Sequence, residues 1–303
     1  MTGFADLVAG GVITENVPLG PMTTYRFGGP ARYLLDAEGE DQVLQVARAL
    51  RSEPMPVAAL GRGSNVVISE LGFPGLVIRP GAGMNYCRIG RDGGVAAGAA
   101  LPLPMLARRA AEQGRGGLEF YVGIPGSVGG AVRMNAGCHG SDTAGCLGAA
   151  RVVDLESATV VERTPIDLEM SYRHSNLRPT EVVVSAEFVT VARDPAECDA
   201  ELRAVTRWRK ENQPGGTLNA GSVFKNPPGD AAGRIIDDLG LKGFTIGGVS
   251  VSERHANFFV AGADATAQEV FDLVAAVRQR VRSATGIELV PEVQFLGDFE
   301  GHL

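Results

Sequence analysis

Apolar residues recur along the chain with two periods, and the switch between them marks its elements. Val43, Val46, Ala47 and Leu50 fall at helical spacing and predict a helix from about Glu40 to Arg51, ended by Pro54 and Pro56. Val270, Val274, Val277 and Val281 recur at steps of four and three, which predicts a long helix over Thr266–Thr285 with one stripe laid on a sheet. Three more helices are expected. Pro104–Gln113 sets Met105, Leu106, Arg109 and Ala110 near one face before the stop at Gly114; Ala196–Asn212 sets Leu202, Val205 and Trp208 or Arg209 on one side; the third runs near Asp230–Leu239. Short apolar or β-branched runs predict strands at Ala31–Leu35, Val57–Leu60, Leu76–Ile78, Gly93–Ala99, Ala150–Leu155, Thr159–Val161, Val182–Val191, Phe258–Ala261 and Leu289–Leu296. In the last of these, Leu289, Pro291, Val293 and Phe295 take one face while Glu292 and Gln294 take the other. No regular βαβ alternation links the runs, so the pattern is α+β.

Two glycine-rich stretches interrupt this pattern. Gly123–Gly140 reads GIPGSVGGAVRMNAGCHG, and Gly61–Asn65 reads GRGSN between two apolar runs. Glycines without Cβ, a fixed proline and a serine hydroxyl allow backbone N–H groups to converge on an anion such as a phosphate. A plain tight turn explains either stretch equally well when it is judged alone. Gly61–Asn65 is not a Walker loop, because no Gly-Lys-Ser/Thr follows, nor the Gly-x-Gly-x-x-Gly of dinucleotide folds.

Composition narrows the partners. At 303 residues the chain can bury a sizeable core without a metal or disulfide, and its net charge of −7 lacks the basic footprint of a nucleic-acid binder. No N-terminal export signal or bilayer-spanning apolar run is evident, so a soluble, cytoplasmic protein without membrane insertion is expected. Cys87, Cys138, Cys146 and Cys198 include no C-x-x-C pair; reduced, packed thiols are expected, and no metal site, since Cys138, His139 and Cys146 fit no common zinc spacing.

Six motifs in order carry a closer resemblance: TTYRFGG, LGRGSNVVIS, GIPGSVGGAVRMNAGCHG, AGSVFKNP, SERHANFFV and ELVPEVQF. From about Val17 to Leu296 the chain resembles the UDP-N-acetylenolpyruvoylglucosamine reductases, in their short type. The resemblance implies an FAD-binding region of the vanillyl-alcohol-oxidase (PCMH) type over residues 1–199, in two α+β subdomains divided near 75–80. A smaller α+β substrate domain would occupy residues 200–303. The implied activity is NADPH-dependent reduction of UDP-N-acetylglucosamine enolpyruvate to UDP-N-acetylmuramate through FAD, in peptidoglycan precursor synthesis.

Carried over residue by residue, Gly61, Gly63, Ser64 and Asn65 would hold the FAD pyrophosphate from one side. Gly123, Ile124, Pro125, Gly126, Ser127, Gly129 and Gly130 would hold it from the other. Ser222 matches the proton donor, Arg173 the arginine that stabilises the enolate, and Glu292 the residue working beside it; a fixed guanidinium suits an enolate carboxylate. Tyr172, Lys225 and Asn226 would contact the UDP-sugar, and a monomer is the favoured state. Without the family, Ser222 reads as a Gly-Ser turn, Arg173 as a solvated arginine and Glu292 as a solvent-facing glutamate. His139 departs from the family, which commonly has tyrosine there. A flavin oxidase of the same superfamily, or an FAD-binding protein without catalysis, are the competing readings.

Overall fold

A computed structural model describes residues 3–90 and 93–303 as an α+β protein whose backbone gathers into two compact units. The first comprises the segment ending at Asn16, Tyr33–Arg62 and Gly75–Arg209; the second comprises Val17–Arg32, Gly63–Pro74 and Lys210–Leu303. The second unit thus takes two N-terminal segments along with the C-terminal part of the chain. A division near residue 200 falls inside the continuous helix Pro195–Asn212. Among the described residues no helix is long and apolar enough to cross a membrane.

In the first unit, the helix Glu40–Leu50 buries Val43, Val46, Ala47 and Leu50 as its spacing requires. A five-stranded antiparallel sheet runs in the order Thr159–Arg163, Leu147–Asp154, Glu181–Phe188, Val95–Gly98, Cys87–Ile89. Val57–Ala59 pairs in parallel with Leu76, Val77 and Ile78 of the next long strand. The strand expected over Val182–Val191 stops at Phe188: Val189 and Val191 are exposed, and Val191–Ala192 pairs instead with Arg115–Gly116. The helix Leu103–Glu112 buries Leu106, Ala107, Ala110 and Ala111, leaving Met105 and Arg109 outside. Its inner face is built of small alanines that allow close approach, so residue size misled the choice of face. On Pro195–Asn212, Cys198, Leu202 and Val205 are buried, whereas Trp208 is exposed.

The second unit packs its own core. The valine stripe at 270, 274, 277 and 281 is fully buried on the helix Ala267–Thr285, against the three-stranded antiparallel sheet Thr245–Ile246, Val249–Val251, Phe259–Ala261. Thr266 and Glu269 cap that helix reciprocally, at 3.2 Å and 3.0 Å, and Gly286 ends it at φ 75°. Tyr25 is buried here, its hydroxyl donating to Phe259 O at 2.9 Å, while Arg26 lies exposed. The strand expected from Leu289 is shorter: only Gln294–Leu296 forms a ladder, parallel to Val66–Ile68. Residues 289–293 are held by loop bonds instead, and their side-chain alternation is that of an extended segment outside any sheet.

Leu273 is fully buried on the long helix. Leu273→Ala should lower stability by about 2–5 kcal/mol in urea denaturation, whereas Gln279→Ala, on the exposed face, should change it by less than about 0.5 kcal/mol. Equal midpoints for the two variants would contradict this assignment of the core face.

Candidate active site

In the first unit, Gly123–Gly140 is neither one loop nor one turn. It opens on a short 3-10 turn, Glu119–Gly123, whose Tyr121 is fully buried, and Gly123 lies where a Cβ would meet Val205 at 3.1 Å. Ile124 N donates to Tyr121 O at 3.1 Å. The next carbonyls are met by protein donors: Arg209 Nη1 on Gly123 O at 2.9 Å, Arg62 Nε on Pro125 O at 3.1 Å and Leu103 N on Gly126 O at 3.1 Å. Three carbonyls of the loop are thus paired within the protein, as are the N–H groups of Ile124, Val128 and Gly129.

Ser127 precedes the two-turn helix Val128–Met134 and is buried, yet its Oγ has no hydrogen-bond partner. Gly61, Ser127, Gly129, Gly130 and Arg133 line one cleft. A Cβ on Gly61 would sit 2.7 Å from Ser127 Oγ and fill the approach to it. Gly129 contributes differently: its N–H is bonded to Ala99 O at 3.0 Å, and its bare Cα lets Ala99 pack where a Cβ would stand 3.1 Å away. An unpaired buried hydroxyl within a glycine-walled cleft fits an oxygen-rich anionic group such as a diphosphate.

The second half of the stretch builds a different place. Asn135, at φ 42°, ends the helix; its buried side chain donates to Ser171 O at 2.8 Å and Asp142 Oδ2 at 3.2 Å and accepts from Ala144 N at 2.8 Å. Gly137–Cys138 then pairs with Ser141–Asp142 around His139 and Gly140, both in the left-handed region. Arg173 Nη2 donates to Gly137 O at 2.5 Å. Arg173 itself sits at φ 53° in a tight turn closed by reciprocal Ser171–His174 backbone bonds, its guanidinium 5.0 Å from the ring of exposed Tyr172. One hairpin and one asparagine therefore hold Arg173 from two directions. His139 lies against Trp208 with ring centres 4.8 Å apart. Burial pushes the Cys138 thiol up to about 11, against the pull of the Arg173 and Arg209 guanidiniums.

In the second unit, Gly63 sits at φ 62°, where a Cβ would lie 2.2 Å from Met22 O, so the TTYRFGG segment crosses directly over it; Thr24 N bonds Gly63 O at 3.0 Å. Ser64 is half-buried. Asn65 Nδ2 donates to Glu292 O at 3.1 Å, and Asn65 O accepts from Gln294 N at 3.0 Å. Ser222 pairs with Phe258 in an isolated bridge, and the following Val223 O accepts from Glu292 N at 2.7 Å. Asn257 clamps the loop. Its Oδ1 accepts from Phe224 N at 2.9 Å, its Nδ2 donates to Phe224 O at 2.8 Å, and its own O accepts from Val223 N at 2.8 Å. Lys225 N bonds Val290 O at 2.9 Å, and Asn226 Oδ1 is committed to Ala232 N at 3.0 Å, opening the helix Ala232–Asp238.

The structure thus brings Ser222, Glu292 and Asn65 into one network, and gathers Gly61, Ser127, Gly129 and Gly130 at one cleft. Asn135 and Asn257 escaped sequence reasoning. Both lie inside quoted motifs, but polar residues in small or apolar runs give no periodic signal, and only their buried backbone partners reveal them.

Residues 31–163 match the FAD binding domain family. With the glycine-walled cleft and its unpaired hydroxyl, this defines an FAD-binding α+β protein. Residues 213–296 match the family described as UDP-N-acetylenolpyruvoylglucosamine reductase, C-terminal domain. A UDP-N-acetylenolpyruvoylglucosamine reductase of Synechococcus sp. (strain WH7803) is 42% identical over 307 residues, covering 98% of each chain. That of Caulobacter sp. (strain K31) is 39% identical, covering 95% of each. The crystal structure of the Thermus caldophilus enzyme superposes with a TM-score of 0.81 at 35% identity, covering 93% of this chain and 98% of that one. The chain belongs to the UDP-N-acetylenolpyruvoylglucosamine reductase family.

Removing the clamp, Asn257→Ala should cost about 2–4 kcal/mol, because two buried peptide groups of Phe224 lose their partners; a urea midpoint equal to wild type would contradict the clamp. At pH 8, iodoacetamide should modify Cys138 about a hundredfold more slowly in the native than in the unfolded protein. The native rate should climb as pH rises toward the thiol's value of about 11. Peptide mass mapping reads this, and equal native and unfolded rates would refute the raised thiol.

Proposed function

We propose that the chain is an FAD-dependent oxidoreductase that uses NADPH to reduce UDP-N-acetylglucosamine enolpyruvate to UDP-N-acetylmuramate, supplying peptidoglycan precursors. The supporting observation is the network of the second unit, in which two distant motifs meet on one peptide: Val223 O, next to Ser222, accepts the N–H of Glu292 at 2.7 Å. FAD, when bound, supplies the hydride, which it takes from NADPH. The cleft at Gly61, Ser127, Gly129 and Gly130 binds its diphosphate, with Gly123, Ile124, Pro125 and Gly126 shaping the loop; Gly63, Ser64 and Asn65 are further contacts to the cofactor. Residues 1–199 hold the cofactor, and 200–303 bind the UDP-sugar.

Reduction at C3 of the enolpyruvyl group leaves negative charge on its carboxylate as an enolate. Arg173 meets that charge with a planar fork. Glu292 serves the same enolate, its backbone fixed by Val223 and Asn65. Ser222 delivers the proton from Oγ to C2, on a loop whose geometry the Asn257 clamp fixes. Tyr172, Lys225 and Asn226 contact the substrate; Asn226 does so through its amide nitrogen, since its oxygen caps a helix. The protein works as a cytoplasmic monomer without nucleic-acid or membrane partners.

In stopped-flow absorbance, Ser222→Ala should leave flavin reduction by NADPH unchanged and slow reoxidation by the enolpyruvyl substrate by about 10²–10⁴-fold. Equal slowing of both steps would remove Ser222 from proton delivery. Absence of any substrate-stimulated NADPH consumption by the purified flavoprotein would overturn the reading as a whole.

A further inference from the structure

The geometry points to Arg133 as the cationic contact for the diphosphate of FAD, in a cleft whose apolar wall takes the adenine; this rests on the FAD-dependent reading above. Arg133 lies three and four residues beyond Gly130 and Gly129 on the helix Val128–Met134, hence on the same face, and all three line the cleft with Gly61 and Ser127. Its side chain is half-buried. It donates to main-chain oxygens only, Leu177 O at 3.3 Å and Arg178 O at 3.1 Å and 3.3 Å, and to no carboxylate among the described residues.

The carboxylate at the same cleft is already matched. Glu181 is buried, pairs with Arg163 and with Arg178 at 3.5 Å, and accepts Arg178 N at 2.7 Å. Its field reaches Arg133, yet burial still draws the Arg133 pKa below its usual value. A half-buried cation bonded only to neutral carbonyls, at the same cleft as a buried hydroxyl that has no partner, is placed to meet an anion. Leu60, Pro80, Leu177, Val182 and Val183 give the rest of the cleft an apolar wall suited to a flat heterocycle. Together these features match the adenosine diphosphate half of FAD, which FMN lacks.

The test is fluorescence titration of apoprotein with FAD, comparing wild type, Arg133→Gln and Arg133→Lys. Glutamine retains N–H donors for the carbonyls but not the charge. We expect FAD affinity to fall about 10–100-fold for the glutamine variant, with a flatter salt dependence, and to fall less for the lysine variant. Affinity of the glutamine variant within twofold of wild type, or equal losses in both variants, would overturn the proposal. A second measurement needs no variant: ADP should displace FAD from wild-type apoprotein at least tenfold more effectively than adenosine does. Equal displacement overturns the anion contact, while a wild-type protein that binds no FAD overturns the FAD-dependent reading with it.

Discussion

A loop buried among apolar side chains must find partners for its peptide groups, and in each unit an asparagine supplies them. Asn135 and Asn257 are both almost fully buried, and each forms several bonds, mainly to backbone that no helix or sheet satisfies. An amide side chain is suited to this because it donates and accepts at once without a charge to desolvate. Through these two side chains the Ser171–His174 turn and the Ser222–Phe224 loop acquire fixed shapes. The proposed catalytic groups inherit their positions from that backbone.

The same economy shapes the glycine-rich stretches. Their glycines serve at least three purposes: Gly63 allows a neighbouring segment to cross at close range, Gly129 lets Ala99 pack onto a helix, and Gly61 leaves open the approach to Ser127 Oγ. Only the last concerns the approach to an unpaired hydroxyl. Where the carbonyls of Gly123, Pro125 and Gly126 go is equally telling, since two arginines and a backbone amide take them. The unpaired serine hydroxyl and the half-buried guanidinium of Arg133 line one cleft.

Arg173 places backbone strain at a proposed catalytic residue. A non-glycine residue at φ 53° pays for its conformation only where its surroundings hold it, and here the bond to Gly137 O and the Asn135 contact to Ser171 O do so. The sequence contains no sign of that strain.

Periodic patterns were legible because they record burial on one face of a regular element. The valine stripe of the long helix and the apolar face of Glu40–Leu50 emerge as expected. Ordered motifs identified the family. Other features depended on partners far along the chain. The expected strand from Leu289 shrinks to Gln294–Leu296 because only those residues find a ladder partner, Val66–Ile68. Met105 faces outward because alanines pack more closely on the inner side. By itself the sequence determined the α+β character, the main helices and the candidate chemistry, all of which follow from local spacing. Only the tertiary structure decided which peptide groups are paired and which are left for a ligand, because a hydrogen bond joins residues brought together by folding rather than by order along the chain.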